Sequence, residues 1–331
     1  MTEKELRESL GFIDNVVYYY CSIEAMYSIF SNKSFWLTFL ESSNDSMELR
    51  LAEKIIMEAI KELKIDFPSR EDIKILEQIE LAPKDKGYKK YKPRYKYYGL
   101  SLVEDKDSLT HWERYANNAG GVCIGLNIAL IENLFMVYAL PDIVSDWLQA
   151  APIAYSYEEQ IKYAKSSVMT KIKRLTQEAD DFRKIEHIYS TIYYSTLATL
   201  KPLFKHIGFA SEKENRIYLK DGEAEATARH IKDMMNSPAS NDRELFKNIS
   251  NHIIELASKL NVLRKDIRHG VFKDGIRSYY ALNLGAIWSD TLVPEVVLGP
   301  KCYQNKKELK SFMESCELYR TKLSVSKIPI R

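Results

Sequence analysis

The sequence is short of the features that make a protein's work readable at once. Net charge is nearly absent: 48 basic residues stand against 46 acidic ones over 331 residues, for a formal charge of +2. No whole-chain field draws in nucleic acid or an anionic membrane, so any such attraction must come from a local patch. Cysteine is scarce, and Cys21, Cys123, Cys302 and Cys316 show neither C-x-x-C spacing nor the density of a disulfide-stapled secreted domain. Reduced, buried thiols are the expectation. The six histidines are scattered singly along the chain, which gives a structural metal site little support. No stretch approaches the roughly 18 uncharged apolar residues of a membrane-spanning helix. The charges of MTEKELRESLGF also fall where a signal peptide needs its apolar core. A soluble, cytoplasmic protein with no membrane partner is expected. The G-x-x-x-x-G-K phosphate loop, the dinucleotide fingerprint, H-E-x-x-H and G-x-S-x-G are all missing, so several large enzyme classes fit poorly.

What is present is tyrosine, 22 residues against 12 phenylalanines and 12 glycines. Each brings a large apolar body with a hydroxyl that seeks a partner when buried, so a pocket both greasy and polar can be built. Hydrophobic residues at 45% and charged residues at 28% are those of an ordinary folded chain. The β-branched and aromatic run VVYYYC from Val16 predicts a strand, and Ser22 opens a helix with Met26, Ile29 and Phe30 on one face. Further strands are expected at 34–39, 99–103, 122–126, 154–155, 214–219, 277–284, 293–298 and 322–328. Helices are expected from Met47 to Leu63, over 109–116, twice between 157 and 203, and from Asn305 to Leu318, where Leu309, Phe312, Met313 and Cys316 share a face. The fold class that follows is one α+β domain over residues 1–331, with a mixed or antiparallel sheet and helical insertions at about 52–83, 157–203 and 225–269.

Two segments could carry binding. Lys84 to Tyr98 reads KDKGYKKYKPRYKYY, with seven basic residues and five tyrosines. Cations tracking a phosphate chain and rings stacking on bases make nucleic acid a candidate partner through Lys84 to Lys96. A solvated loop, marked by Gly87 and Pro93, is the plainer reading. Trp112 and Tyr115, three apart, share a helix face beside the Gly120-Gly121 turn and could stack a nucleotide ring or simply pack the core. His111 beside them reads as a surface residue.

The pieces YYYCS at Tyr18, SFWLT at Ser34, SND at Ser43, WERYA..AGGVCIG at Trp112, KH..F..EKENRI at Lys205, VVLGPK at Val296 and the terminal SKIPIR together resemble a bacterial family catalogued as domain of unknown function 2971. The resemblance runs in order from Tyr18 to Arg331. It implies an α+β fold and a polar residue set, here Asn44, Asp45, Glu48, Glu214 and Arg216, but no reaction. Three positions depart from the pattern: Ser43 stands where a phenylalanine is usual, Ser46 where a proline is usual, and Asn215 where an aromatic is usual.

In a strand, Glu212, Glu214 and Arg216 would point to one face, two carboxylates sharing a guanidinium. Taken with the strand-helix start, this order is distantly similar to ADP-ribosyltransferases. That likeness implies NAD as a substrate bound by Tyr18 or Tyr20 with Ser22, Ser101, Asn44, Asp45, Glu48, Trp112, Tyr115 and Arg216. Glu214 would stabilise the oxocarbenium ion and Glu212 would face the acceptor. The first-strand position departs from the arginine or histidine common there. Such an enzyme would act in phage defence or as a toxin. The alternatives are a non-catalytic sensor that binds a nucleotide or a protein on the same surface, a Glu214–Arg216 ion pair that merely braces the loop at Asn44, and a metal-dependent nuclease using Asp45, Glu48 and Glu214.

Overall fold

Alternation along each strand decides which side of the sheet is core. The computed structural model describes residues 16–42, 48–66, 70–81, 96–132, 148–178, 185–221, 267–272 and 275–329, with the backbone alone at 42, 48, 49, 70–72, 148, 174–178, 185–191 and 221. The chain opens with β1 (Val16–Cys21), α1 (Ile23–Asn32) and β2 (Ser34–Phe39). Ser22 caps α1 by accepting from the Ala25 amide at 3.2 Å, and Lys33 closes it in the left-handed region at φ 48°. The helical stretch α2 (Glu48–Asp66) and α3 (Arg70–Leu81) precedes β3 (Lys96–Val103), α4 (Leu109–Tyr115), β4 (Val122–Asn127) and β5 (Leu148–Pro152). Two long helices, α5 (Tyr157–Glu178) and α6 (Ile185–Leu200), lead to β6 (Glu214–Asp221). The chain continues through β7 (Arg268–Phe272), β8 (Gly275–Asn283), β9 (Glu295–Leu298), α7 (Lys306–Ser315) and β10 (Lys322–Val325).

The ten strands form one mixed sheet in the order β10-β9-β4-β1-β3-β2-β8-β7, with β6 on β3 and β5 on β6. Among the described strands β9 and β10 run parallel and the other pairs are antiparallel. The expected α+β class is the observed one.

The register sorts the side chains. Val17, Cys21, Phe35, Leu37, Leu100, Leu102, Ile124, Leu126, Ile217, Leu219, Leu282 and Val296 fall on one face and form the main core. Helices α1 and α7 close that face with Met26, Ile29, Phe30, Leu309 and Met313. The opposite face carries Tyr18, Tyr20, Ser101, Glu214, Arg216, Trp36 and Glu295 in the same register. It is covered by α4 on one side and by the helical layer α2, α3, α5 and α6 on the other. That layer has its own apolar core around Ile56, Ile60, Val168 and Phe204. It docks through the Tyr97 hydroxyl, which donates to the Ala198 carbonyl at 3.3 Å.

The sheet is forked at β3. Along one edge β6 pairs with β3 from end to end, from Lys96 opposite Asp221 to Val103 opposite Glu214. The other edge is shared: β1 joins it only at Val103 (opposite Tyr18), and β2 only at Gly99 and Tyr98 (opposite Thr38 and Phe39). Between them, Leu100 to Leu102 has no ladder partner on that edge among the described residues.

Three expectations shift. The strand expected at 154–155 lies at 148–152, and Ala154 makes a single parallel bridge to Phe204, because the chain must turn there to start α5. Residues 225–266 of the third helical insertion lie outside the described residues, and its last positions, Arg268 and His269, open β7. The closing strand ends at Val325 rather than 328, where Ser326 and Lys327 turn to bond Asp107.

Candidate functional site: a sealed charge cluster at the fork

The cluster begins with a chain reversal. After α6 the chain makes a 3-10 turn over Ile207–Glu212, capped by His206, whose Nδ1 accepts from the Gly208 amide at 3.1 Å. Lys213 follows in the left-handed region at φ 43°, and β6 begins at Glu214. Glu212 is therefore not in the strand, and simple alternation does not place it beside Glu214. The reversal does, by laying Lys205 against both carboxylates. Its Nζ donates to Glu212 Oε2 at 2.7 Å and to Glu214 Oε2 at 3.1 Å.

Glu214 is enclosed, with 2% of its surface open. Its Oε1 accepts from Arg216 Nε at 2.7 Å and from the Ser101 hydroxyl at 2.6 Å. Burial by itself would raise its pKa. The charges of Arg216 and Lys205 and the hydrogen bonds from Arg216 and Ser101 outweigh burial and hold the carboxyl down at about 2. Arg216 is equally enclosed and donates through Nη1 to the Pro202 carbonyl at 2.8 Å. The Glu214 amide donates to the Tyr155 hydroxyl at 3.0 Å. Two cations and two carboxylates thus balance in a nearly dry place, the condition under which buried charge is tolerated.

The cluster reaches solvent at two points. Ser101 is exposed although it sits mid-strand, at the point where neither β1 nor β2 pairs with β3 among the described residues. Continuing the two registers past their last pairs would bring Tyr20 of β1 and Trp36 of β2 opposite Ser101. At the other end Glu212 Oε1 accepts from the Tyr115 hydroxyl at 3.0 Å, and the exposed Arg114 guanidinium stands 3.9 Å away.

The residues singled out from sequence divide into three groups. Ser101, Glu212, Glu214, Arg216 and Tyr115 meet in this cluster. Tyr18, Tyr20 and Ser22 are occupied elsewhere: the Tyr18 hydroxyl donates to Glu295 Oε1 at 2.8 Å, and that of Tyr20 donates to the Asp105 carbonyl at 2.8 Å and accepts from the Ser108 amide. Ser22 is a helix cap. Asn44 and Asp45 lie outside the described residues, and Glu48 opens α2 with only its backbone described. Of the basic segment Lys84 to Tyr98, only Lys96, Tyr97 and Tyr98 fall inside, at the start of β3.

Two expectations around α4 are corrected. Trp112 and Tyr115 do not present a common face to a ligand, since Trp112 is wholly buried and its indole donates to Asp107 Oδ1 at 2.7 Å, while Tyr115 is exposed. His111 is buried rather than on the surface, stacked on Tyr20 with Nδ1 2.8 Å from the Ser108 hydroxyl. The short helix turns His111 and Trp112 inward against β1 and leaves Leu109, Thr110 and Tyr115 outside. Lys205 was not among the site residues read from sequence, although it stands in the KH..F..EKENRI piece. The presence of a lysine nine positions before a strand glutamate says nothing until the intervening turn is known.

Among the described residues no group of three or more His, Cys, Asp or Glu side chains is arranged to hold a metal ion. None of the described helices is long and apolar enough to cross a membrane. A family described as a protein of unknown function (DUF2971) matches residues 111–217. That stretch holds Tyr115, Lys205, Glu212, Glu214 and Arg216, while Ser101 and the motifs near both ends lie beyond it. No curated protein and no solved structure matches the chain.

Proposed function

We propose that the fork at Ser101, with the charge cluster behind it, holds a nucleotide of NAD-like chemistry. The observation that supports this most directly is Ser101 itself. It is a mid-strand hydroxyl, exposed where β1 and β2 part, and bonded to an ionised, almost wholly buried carboxylate. At a gap of this kind the exposed serine offers an oriented hydroxyl between the buried Leu100 and Leu102. The tight enclosure of Glu214 favours a sensor that recognises its ligand without transforming it.

ADP-ribosyl transfer is the second reading, and one observation favours it: Glu212 sits at the rim, where Tyr115 and Arg114 meet solvent. Under it Glu212 faces the substrate and stabilises positive charge at the anomeric carbon, while Glu214 acts through Lys205 as a positioning residue. Either protein would suit a phage-defence system, and the enzyme would also suit a toxin.

Calorimetric titration with NAD and with ADP-ribose, alongside an assay for nicotinamide release, separates these readings. Binding that weakens in Ser101→Val without nicotinamide release establishes the sensor. Release that disappears in Glu212→Gln establishes the transferase. Failure of both compounds to bind the wild type, with no release, removes the NAD reading altogether.

A further inference from the structure

The rim of the charge cluster holds a histidine that neither reading of the site uses. The ring of His111 lies between two tyrosines, stacked on Tyr20 with centroids 5.3 Å apart and tilted against Tyr115 at 5.8 Å. Nδ1 stands 2.8 Å from the Ser108 hydroxyl. Burial outweighs the pull of the Glu212 carboxylate and main chain and lowers the imidazole pKa, so the ring is uncharged at neutral pH. The residue is 3% exposed, and its Nε2 closes no hydrogen bond among the described residues. A sealed nitrogen without a partner is a cost that a fold normally removes.

Of the two rings against His111, only that of Tyr115 reaches solvent, with 47% of its surface open against 6% for Tyr20. The Tyr115 hydroxyl donates to Glu212 Oε1 at 3.0 Å. That single oxygen serves the carboxylate and leaves Nε2 unserved. The backbone beneath Tyr115 is pinned. The Ala119 amide donates to the Trp112 carbonyl and the Gly121 amide to the Ala116 carbonyl, both at 2.8 Å, and Asn117, Asn118 and Ala119 all lie in the left-handed region. Tyr115 can therefore leave by rotating its side chain, with no change in α4.

The place it would vacate has a definite chemistry. It offers the face of an imidazole, a carboxylate oxygen that accepts and, in the tautomer where Ser108 donates to Nδ1, an Nε2 proton that donates. A flat ring whose edge carries a donor beside an acceptor meets both groups. The carboxamide of nicotinamide and the amino edge of adenine are edges of that kind.

We propose that Tyr115 is a plug held by Glu212, and that a heteroaromatic ring with such an edge displaces it, stacking on His111 and bonding both Glu212 and Nε2. The seat rests on the reading of the site as one for an NAD-like nucleotide, and it names the ring end of that ligand and the side chain that competes with it. Because the ligand must first break the bond between hydroxyl and carboxylate, loosening the plug strengthens binding. A tyrosine that merely packs there, or that touches the ligand, gives the opposite sign when it is trimmed.

Calorimetry with NAD, nicotinamide and AMP on the wild type, Tyr115→Phe, His111→Leu and Ser101→Val tests this. Tyr115→Phe removes one atom at an exposed position and should bind about three- to tenfold more tightly. His111→Leu should bind about tenfold more weakly, and Tyr115→Phe keeps the test informative if that buried variant folds poorly. Whichever of nicotinamide and AMP shows the gain identifies the seated ring. Binding that is unchanged or weaker in Tyr115→Phe overturns the plug, and so does failure of all three probes to bind both the wild type and Tyr115→Phe. If NAD binds more weakly to Ser101→Val but equally to Tyr115→Phe, the plug falls and the function proposed above stands. If nicotinamide or AMP gains affinity in Tyr115→Phe while Ser101→Val changes nothing, the reading of Ser101 falls and the ring seat stands.

Discussion

Residues 100 to 103 of β3 set two ways of holding a sheet together side by side. Leu100 and Leu102 point into the main core, where they pack among Ile217, Leu219 and Leu37, and any apolar shape of the right volume would serve there. Ser101 and Val103 point the other way, and opposite them on β6 stand Arg216 and Glu214. On that face stability depends on partners rather than volume, because each buried charge is tolerable only while its counter-charge remains. The two faces lie one peptide apart but should fail in different ways.

The largest expected effect is on the charged face. Arg216→Leu takes from Glu214 its closest cation and should lower stability by about 3–5 kcal/mol, read as a drop in the urea midpoint. Combining it with Glu214→Leu should recover part of that loss, because an apolar pair leaves no charge stranded. If the double variant is as unstable as the sum of the singles, the two residues do not act as a pair. On the core face Leu102→Ala should cost about 2–5 kcal/mol whatever is done to Arg216, as a cavity does.

Acid separates the faces next. The Glu214 carboxyl is held at about 2 in the folded chain, below its ordinary value of about 4.3 when unfolded. A depressed carboxylate contributes stability that is complete above the unfolded pKa and disappears as pH falls through the folded one. The wild type should therefore lose on the order of 3 kcal/mol more than Glu214→Gln between about pH 4.5 and pH 2. The comparison with Glu214→Gln is needed because Asp107, Asp290 and Glu295 are also held low. Parallel curves for the two proteins would mean that Glu214 is no more acidic folded than unfolded.

The smallest effect is expected at Glu295, on the same face but nearer solvent. Its partners are the Tyr18 hydroxyl and Lys106, which is about half exposed at 48%. Lys106→Ala should change stability by no more than about 1 kcal/mol, and by less in high salt. A cost as large as that of Arg216→Leu would show that the contrast between a carboxylate with a buried cation and one with an exposed cation is false.

How much of this was readable beforehand follows from the range of the interactions. The strands VVYYYC, SFWLTF and ENRIYL, the capped helix after Ser22 and the amphipathic helix carrying Leu309 and Met313 are written in periodicity and local capping, which act over a few residues. The same alternation put Glu214 and Arg216 on one face. It also put Glu212 there, for the wrong reason, since Glu212 arrives through a turn closed by a left-handed Lys213. Trp112 and Tyr115 show the opposite failure: correct helical spacing, but one ring sealed against β1 and the other left outside.

What the amino-acid sequence determined by itself, then, is most of the elements, the α+β class and the apolar side of those strands, because all three follow from the polarity of near neighbours; β5 and β7 were not among them. Tertiary structure alone decided that β1 and β2 would divide one edge of β3 and that Lys205 would bridge Glu212 and Glu214. Each of these depends on strands far apart in the chain choosing a register together. A register is a property of the assembled sheet, and no single strand contains it.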